Sequence, residues 1–283
     1  MATTAPNGTE GDRLRIYLLP NLLTAANLFC GFLAMTKIVQ ADITGDFKQF
    51  VAAIHTAIFY IILACVFDLL DGRVARLGGY ESPFGREFDS LADIISFGAA
   101  PAFLVHRVVL HDVFKSYPEI GWFIASIYLI CGAFRLARFN CLTAQPDPSG
   151  GREFVGFPIP AAAGLVSSLT FFLLWWNDKF TDFSESPLRY GLPVLMVFLS
   201  IMMVSQVRYP SFKKLDWRAR GTFPKVLVTV MLTGLVIIAR KQLMPWLLPL
   251  LFTVYLVYGF IRPRLSRRLV HEIEDAEDEP PNI

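Results

Sequence analysis

The stretch of residues 67–101, FDLLDGRVARLGGYESPFGREFDSLADIISFGAAP, joins two apolar segments through a short connection that is rich in carboxylates. Asp68 and Asp71 are three residues apart at the end of the first segment, and Asp89 and Asp93 are four apart at the start of the second. Both spacings put the two carboxylates of a pair on one face of a helix. Because a hairpin between the helices brings the pairs together, we expect four carboxylates to face one another.

Four such carboxylates beside an apolar medium repel one another, and keeping them ionised is costly unless cations compensate the charge. Mg²⁺ and Mn²⁺ prefer oxygen ligands, and the absence of Cys and His from the group argues against zinc. Two ions about 3.5–4 Å apart can clamp the attacking and leaving oxygens of a phosphoryl-type displacement. The predicted metal ligands for two divalent cations, Mg²⁺ or Mn²⁺, are Asp68, Asp71, Asp89 and Asp93.

Two glycines and an arginine accompany the acids. Gly72 directly follows Asp71, and Gly85 lies four residues before Asp89. Neither glycine has a side chain, so a nucleotide can approach the backbone closely there. Arg76, one helical turn from Gly72, can pair with a phosphate through its planar guanidinium. Each feature alone is more typical of a solvated helix face, a packing glycine or a loop arginine, and only the combination indicates a site for a diphosphate.

The composition excludes an ordinary soluble chain, because 54% of the 283 residues are hydrophobic. Several apolar stretches approach or exceed the roughly 20 residues that a membrane-spanning helix needs. We therefore predict an all-α bundle in the membrane with about eight transmembrane helices. The predicted spans cover residues 20–40, 49–70, 89–110, 121–141, 159–176, 189–207, 225–241 and 244–261.

Eight spans place both termini on the same side of the membrane. That side carries 18 of the 26 lysines and arginines, so the positive-inside rule puts both termini in the cytosol. We predict a multi-pass protein of the cytoplasmic membrane whose acidic hairpin lies near the cytosolic surface. Its predicted parts are a polar N-terminal segment (1–14), a membrane-embedded domain (15–262) and a basic-then-acidic disordered tail (263–283).

The hairpin matches the pattern D-x2-D-G-x2-A-R-x8-G-x3-D-x3-D at all eight fixed positions, from Asp68 to Asp93. This pattern resembles the signature of the CDP-alcohol phosphatidyltransferase family. The resemblance implies a six-helix core, to which this chain adds two C-terminal helices. It also implies a CDP-linked lipid as donor, CMP as leaving group and a homodimer.

The resemblance further implies roles for single residues. Asp68, Asp71 and Asp89 correspond to metal ligands, whereas Asp93 corresponds to the general base, which also touches the second metal ion. The positions implied to contact the CDP-linked lipid are Gly72, Arg76, Ser82 and Gly85.

Four flanking stretches resemble the branch of the family that uses serine as acceptor. They are PNLLTAANLFCG (20–31), SFGAAPA (96–102), FRLARFN (134–140) and FVGFPIPAAAG (154–164). The similarity covers roughly residues 15–262, with one departure at Phe157, where leucine is expected between Gly156 and Pro158. It implies CDP-diacylglycerol and L-serine as substrates, in contact with membrane lipid and with no nucleic acid as partner.

Serine carries a carboxylate that needs a fixed cation. Arg135 and Arg138 lie one helical turn apart near the end of the fourth span, with Asn140 beside them. We predict that these three residues bind the acceptor, although the arginines could equally bind a lipid phosphate or be ordinary positive-inside charges.

Two alternative functions stay open at this stage. The same chemistry could use glycerol 3-phosphate, inositol phosphate or choline, and the six cations of residues 208–225 could bind a phosphorylated acceptor. A cation transporter also uses intramembrane acids, but those acids lie more naturally at mid-bilayer on broken helices.

Overall fold

The computed structural model describes residues 17–41, 46–79, 82–143, 154–180, 187–209 and 245–257. These residues are helical apart from short connections and one pair of two-residue strands, β1 (Phe154–Val155) and β2 (Arg208–Tyr209), which run antiparallel. A 3₁₀ turn (Pro187–Tyr190) precedes the sixth helix. The helices are α1 (Leu18–Gln40), α2 (Phe47–Gly78), α3 (Pro83–Val113), α4 (Pro118–Thr143), α5 (Ile159–Phe180), α6 (Gly191–Val204) and α7 (Pro245–Val257).

Helices α1 to α5 are each long and apolar enough to cross a membrane, and α6 and α7 are shorter apolar helices. Large apolar side chains, including Phe29, Phe59 and Phe123, are exposed on the outside of the bundle. Lipid, unlike water, solvates such a surface without cost. The prediction of an all-helical, multi-pass membrane protein is therefore confirmed.

The sequence predicts eight spans, whereas five helices among the described residues are long enough to cross a membrane. The predicted span 225–241 lies outside the described residues, as do the segment 1–14 and the tail 263–283. The sixth predicted span, 189–207, is a helix of 14 residues, because the backbone becomes extended at Ser205 (ψ 164°).

Helix α2 extends beyond its predicted end at residue 70. It continues to Gly78 and stops because Gly79 adopts the left-handed conformation (φ 63°), which glycine accepts without steric cost. A helix of these 32 residues is about 48 Å long, longer than the roughly 30 Å hydrocarbon core of a bilayer. Its last turns, which carry Asp68, Asp71 and Arg76, therefore reach the edge of the membrane.

The start of α3 is fixed by Ser82 and Pro83. The Ser82 hydroxyl accepts a hydrogen bond of 3.0 Å from the Gly85 backbone N–H, which caps the helix, and proline suits the first helical position. Helix α3 contains two π-helical stretches, Ile94–Ala99 and His106–Leu110. The first begins directly after Asp93.

Helix α1 covers the hairpin of α2 and α3. It packs tightly against α3 at Gly31, where an added Cβ would lie only 2.7 Å from the Ser96 Cα. Glycine therefore sets the separation of the two helices, and polar residues in the first half of α1 come to lie against the acids.

A second junction ties α4 to the end of α6. The Arg138 guanidinium donates hydrogen bonds to the carbonyl oxygens of Met203, Val204 and Ser205, at 3.3, 2.9 and 3.1 Å. Carbonyls at a helix C-terminus lack intrahelical partners, and a cation satisfies both their hydrogen bonding and their partial negative charge.

Candidate active site

Three of the four predicted acids converge. Asp68, Asp71 and Asp89 each place one carboxylate oxygen so that the three oxygens lie within 4.8 Å of one another. Asp68 and Asp71 come from α2, and Asp89 comes from the second turn of α3. The hairpin thus brings together the pairs that the sequence places on two helices.

No cationic side chain in the described part of the chain lies within 4.0 Å of these carboxylates, and Arg76 and Arg135 interact with them only from further away. The ion pair found there within 4.0 Å joins His111 and Asp112, at the other end of α3. The Asp89 Oδ1 atom is buried and has no hydrogen-bond partner among the described residues. Converging carboxylates with an unsatisfied buried oxygen are the donor set that a divalent cation prefers, so the residues present fit such an ion.

Asp93 is in a different environment from these three acids. It is 6% exposed, and its Oδ1 accepts a hydrogen bond of 3.2 Å from the Asn27 side-chain amide. Asn27 is fully buried, and its backbone carbonyl accepts a bond of 3.0 Å from the Ser96 hydroxyl. The Asn27 Oδ1 atom has no hydrogen-bond partner within the described segments. A fixed amide therefore orients the Asp93 carboxylate.

Helix α1 also holds Asp71. The Thr24 hydroxyl donates a hydrogen bond of 2.9 Å to Asp71 Oδ2, and both side chains are buried. One turn earlier, the Asn21 amide nitrogen is buried without a partner in the described structure. Asn21, Thr24 and Asn27 thus form a polar face of α1 against the acids, which we call the α1 polar face.

The α1 polar face was not among the predicted site residues. Its three members recur at every third position within residues 18–35, which are otherwise apolar. Polar side chains at helical spacing inside a membrane helix are costly unless they face a polar interior, so this periodicity is a signal that could have identified them.

The predicted glycines both lie at close approaches. A Cβ added at Gly72 would lie 3.3 Å from Arg76 Nη1, so the guanidinium folds back over the glycine. A Cβ added at Gly85 would lie 3.2 Å from Ser82 Oγ and 3.4 Å from Asn21 Oδ1. Arg76 is exposed, which leaves its donors accessible to a ligand beside the acids.

The three predicted acceptor residues make different contacts. Arg135 is 6% exposed, interacts electrostatically with Asp93 and Asp68, and has no partner for its Nε among the described residues. Arg138 instead binds the end of α6. Asn140 donates to the Ser90 hydroxyl at 2.9 Å and so ties α4 to α3. The two arginines differ in their partners, since Arg135 interacts with the acids and Arg138 with the end of α6.

Comparison with known proteins gives a consistent picture. The sequence model of the CDP-alcohol phosphatidyltransferase family matches residues 17–205. The chain is 38% identical over 247 residues to the CDP-diacylglycerol--serine O-phosphatidyltransferase of Helicobacter pylori, covering 87% of this chain and 91% of that one.

Two further relatives come from a yeast and an archaeon. The Saccharomyces cerevisiae protein of the same name is 34% identical over 211 residues, or 68% of this chain and 73% of that one. The archaetidylserine synthase of Methanothermobacter thermautotrophicus is 33% identical over 194 residues, or 68% and 69%. All three names contain serine.

Proposed function

Because this chain belongs to the CDP-alcohol phosphatidyltransferase family, we propose that it transfers the phosphatidyl group of CDP-diacylglycerol to L-serine. The products are phosphatidylserine and CMP. The observation that carries the proposal is the convergence of Asp68, Asp71 and Asp89 within 4.8 Å at the hairpin of α2 and α3. The names of the relatives support serine as the acceptor.

The residues that would hold two divalent cations, Mg²⁺ or Mn²⁺, are Asp68, Asp71, Asp89 and Asp93. When bound, such ions neutralise the charge that develops on the diphosphate as the leaving group departs. Thr24 supports this role, because its hydroxyl donates a hydrogen bond to Asp71 Oδ2 and so helps to fix that carboxylate beside the cluster.

The CDP-linked lipid would bind beside Gly72 and Gly85. Each glycine lies against polar side chains that can contact the nucleotide, and Arg76 offers its guanidinium to the diphosphate from the Gly72 side. Ser82 and Asn21 border Gly85, and the Asn21 amide nitrogen, which has no hydrogen-bond partner among the described residues, is a donor for the ligand. Exposed leucines at 69, 70 and 77 surround the hairpin, as a site that admits acyl chains from the bilayer requires.

Asp93 would act as general base. It takes the proton of the serine hydroxyl, and the serine oxygen then forms a bond to the phosphorus that carries diacylglycerol. The bond from that phosphorus to the oxygen of the CMP phosphate breaks, and CMP leaves with the electron pair. Asn27 supports this role by holding the Asp93 carboxylate in one orientation.

Of the three predicted acceptor residues, Arg135 is the one that we propose to bind the serine carboxylate. It is a buried cation with an unsatisfied donor that interacts with Asp93, so a serine carboxylate bound there would place its hydroxyl near the base. Arg138 and Asn140 would shape the acceptor pocket by fixing α4 to α6 and to α3.

We further propose the finer topology that the charges favour, with eight spans and both termini in the cytosol. A homodimer is proposed on the family resemblance alone.

An acceptor screen tests the proposed function. Purified protein, CDP-diacylglycerol and Mg²⁺ or Mn²⁺ are offered serine, glycerol 3-phosphate, inositol, inositol phosphate or choline, and the lipid product is identified by mass spectrometry. We expect phosphatidylserine in the serine reaction and no lipid product in the others. Preference for another acceptor would refute serine as the substrate but would support phosphatidyl transfer from CDP-diacylglycerol. If no acceptor causes release of CMP, both the acceptor and the reaction are refuted.

A further inference from the structure

A cavity of about 290 Å³ opens at the opposite end of the bundle from the acids. It is formed by the last turns of α1 and α3 and the first turns of α4. Thr24, which binds Asp71, and Val39, which lines the cavity, are 15 residues apart on α1, or about 22 Å along the helix axis. The cavity is therefore separate from the candidate active site.

The second π-helical stretch of α3, His106–Leu110, builds the basic wall of the cavity. Residues five apart on an α-helix diverge by about 140°, at 100° per residue. The i→i+5 hydrogen bonding of a π-helix winds more residues into each turn and brings such residues towards one side. As a result His106, Arg107 and His111 all line the same opening.

Two contacts hold these side chains in place. The His106 ring stacks on Trp122, with ring centroids 3.9 Å apart. Arg107 directs Nε and Nη2 to the carbonyl oxygen of Ala41, with the Nε donor at 3.2 Å. This leaves Nη1 without a hydrogen-bond partner in the described structure. A held guanidinium with a remaining donor is well suited to a phosphate oxygen.

The side chains of the cavity lining that can carry a charge are all basic among the described residues. The lining within the described residues includes one arginine and two histidines and no aspartate or glutamate. Asp112 lies 3.3 Å from His111 but does not line the cavity. The cavity therefore favours a ligand with net negative charge.

The rest of the lining is apolar and opens to the lipid. Val39, Phe103 and Trp122 line the cavity and are 70%, 40% and 50% exposed on the outside of a bundle that crosses the membrane. Tryptophan and basic side chains at the end of a membrane helix lie at the level of the lipid headgroups. A ligand here can thus place an anionic group among the basic residues and hydrocarbon along the apolar ones.

We propose that this cavity binds the headgroup of an anionic phospholipid from the leaflet opposite the acid cluster, with Arg107 contacting the lipid phosphate. The proposal rests on the cavity alone and does not depend on the reaction at the acids.

Lipid binding to the purified full-length protein tests the proposal. Native mass spectrometry measures the dissociation constants of dioleoyl phosphatidylglycerol and dioleoyl phosphatidylcholine. The variants are Arg107→Gln, which removes the charge, and Val39→Trp, which fills the apolar side. Lys115→Gln is the matched control, because Lys115 is an exposed cation just beyond α3 that does not line the cavity.

We expect the wild type to bind phosphatidylglycerol more tightly than phosphatidylcholine. Both cavity variants should bind phosphatidylglycerol about tenfold more weakly than the wild type does, because one loses a charge-assisted hydrogen bond and the other loses space for the lipid. Lys115→Gln should be unchanged. Equal binding of the two lipids, or equal loss in Lys115→Gln and Arg107→Gln, would overturn the proposal.

Retained CMP release shows that each variant is folded. If Arg107→Gln does not fold, Val39→Trp tests the proposal instead, because that variant keeps Arg107. An unchanged dissociation constant for phosphatidylglycerol in Val39→Trp would overturn the proposal. Displacement of the lipid by free glycerol phosphate at similar concentration would also overturn it, since the site would then not require acyl chains.

Discussion

Asp93 and the three clustered carboxylates differ in what touches them. Asp68, Asp71 and Asp89 gather their oxygens within 4.8 Å, whereas a buried amide holds Asp93 one helical turn further along α3. A metal ligand and a general base should fail differently when the charge is removed. The two roles can therefore be separated by matched aspartate-to-asparagine variants.

Asp93→Asn keeps the size of the side chain and an oxygen but removes the proton acceptor. We predict that kcat falls by about 10²–10⁴-fold, the usual contribution of a general base, while CDP-diacylglycerol still binds. Asp89→Asn is the control, in which metal-dependent donor binding should weaken together with turnover. Calorimetry beside CMP release measures both quantities, and a near wild-type rate for Asp93→Asn would place the base elsewhere.

Asn27→Ala removes the hydrogen bond that orients Asp93. We predict a fall in kcat of about tenfold or more, the range for a hydrogen bond to a charged group, with little change in the KM for CDP-diacylglycerol. Ser200→Ala is the matched control, since within the described structure that buried hydroxyl bonds to Met196 of its own helix and not to another helix. Equal effects of the two substitutions on kcat would indicate loss of stability rather than of orientation, and a melting curve distinguishes these.

At the residue scale, the sequence predicted the positions of the acids better than it predicted the side chains that contact them. The placement of Asp68, Asp71 and Asp89 follows from helical spacing plus one hairpin, both of which are local. The bond from Thr24 to Asp71 joins residues 47 apart, and the contact of Arg138 with Val204 spans 66. Such contacts depend on which helices pack together, and one sequence does not reveal that.

The crossing of α1 and α3 is the element-scale feature on which the site depends. Gly31 lets α1 approach the Ser96 backbone, and this approach allows the Ser96 hydroxyl to bond to Asn27 and Asn27 to reach Asp93. The geometry of the base is thus set by the packing distance between two helices.

We predict that Gly31→Ala destabilises the protein by about 1–3 kcal/mol, the range for overpacking, and lowers activity as α1 moves away from α3. Gly191→Ala is the control, because an added Cβ there meets nothing within 4 Å. Melting temperatures in one detergent compare the variants. Adding Ser96→Ala should give no rescue, since the close contact includes the Ser96 Cα at 2.7 Å, and full rescue would contradict this packing.

Helix ends were less predictable than helices. The apolar pattern of α2 fades near residue 70, but backbone hydrogen bonding continues through Arg73 and Arg76 until Gly79. The charged last turns lie beyond the apolar part of the helix, so hydropathy underestimates its length. The π-helical stretches of α3 are not visible in the hydrophobic periodicity of the sequence, although one of them shapes the cavity lined by His106.

For the whole molecule, the bundle concentrates acids at one end and basic and aromatic residues around a cavity at the other. The composition predicts the helical membrane class, because a chain so apolar must bury its backbone hydrogen bonds in helices. The full number of spans depends on residues outside the described part of the chain, so eight stays a prediction.

Metal removal tests the acid end as a unit. We predict that EDTA abolishes CMP release and that excess Mg²⁺ or Mn²⁺ restores it, because no cationic side chain among the described residues lies within 4.0 Å of the three carboxylates. Restoration must occur in the same protein sample, which excludes irreversible unfolding. Full activity after exhaustive chelation would contradict the metal-dependent part of the proposal.

The central claim is that the acidic hairpin transfers a phosphatidyl group to serine. It is tested most directly by measuring CMP and phosphatidylserine in one reaction, with and without serine. We predict equal molar amounts of both products when serine is present and almost no CMP when it is absent. CMP released at the same rate without serine, or in excess of phosphatidylserine, would contradict the claim and indicate hydrolysis of the donor instead.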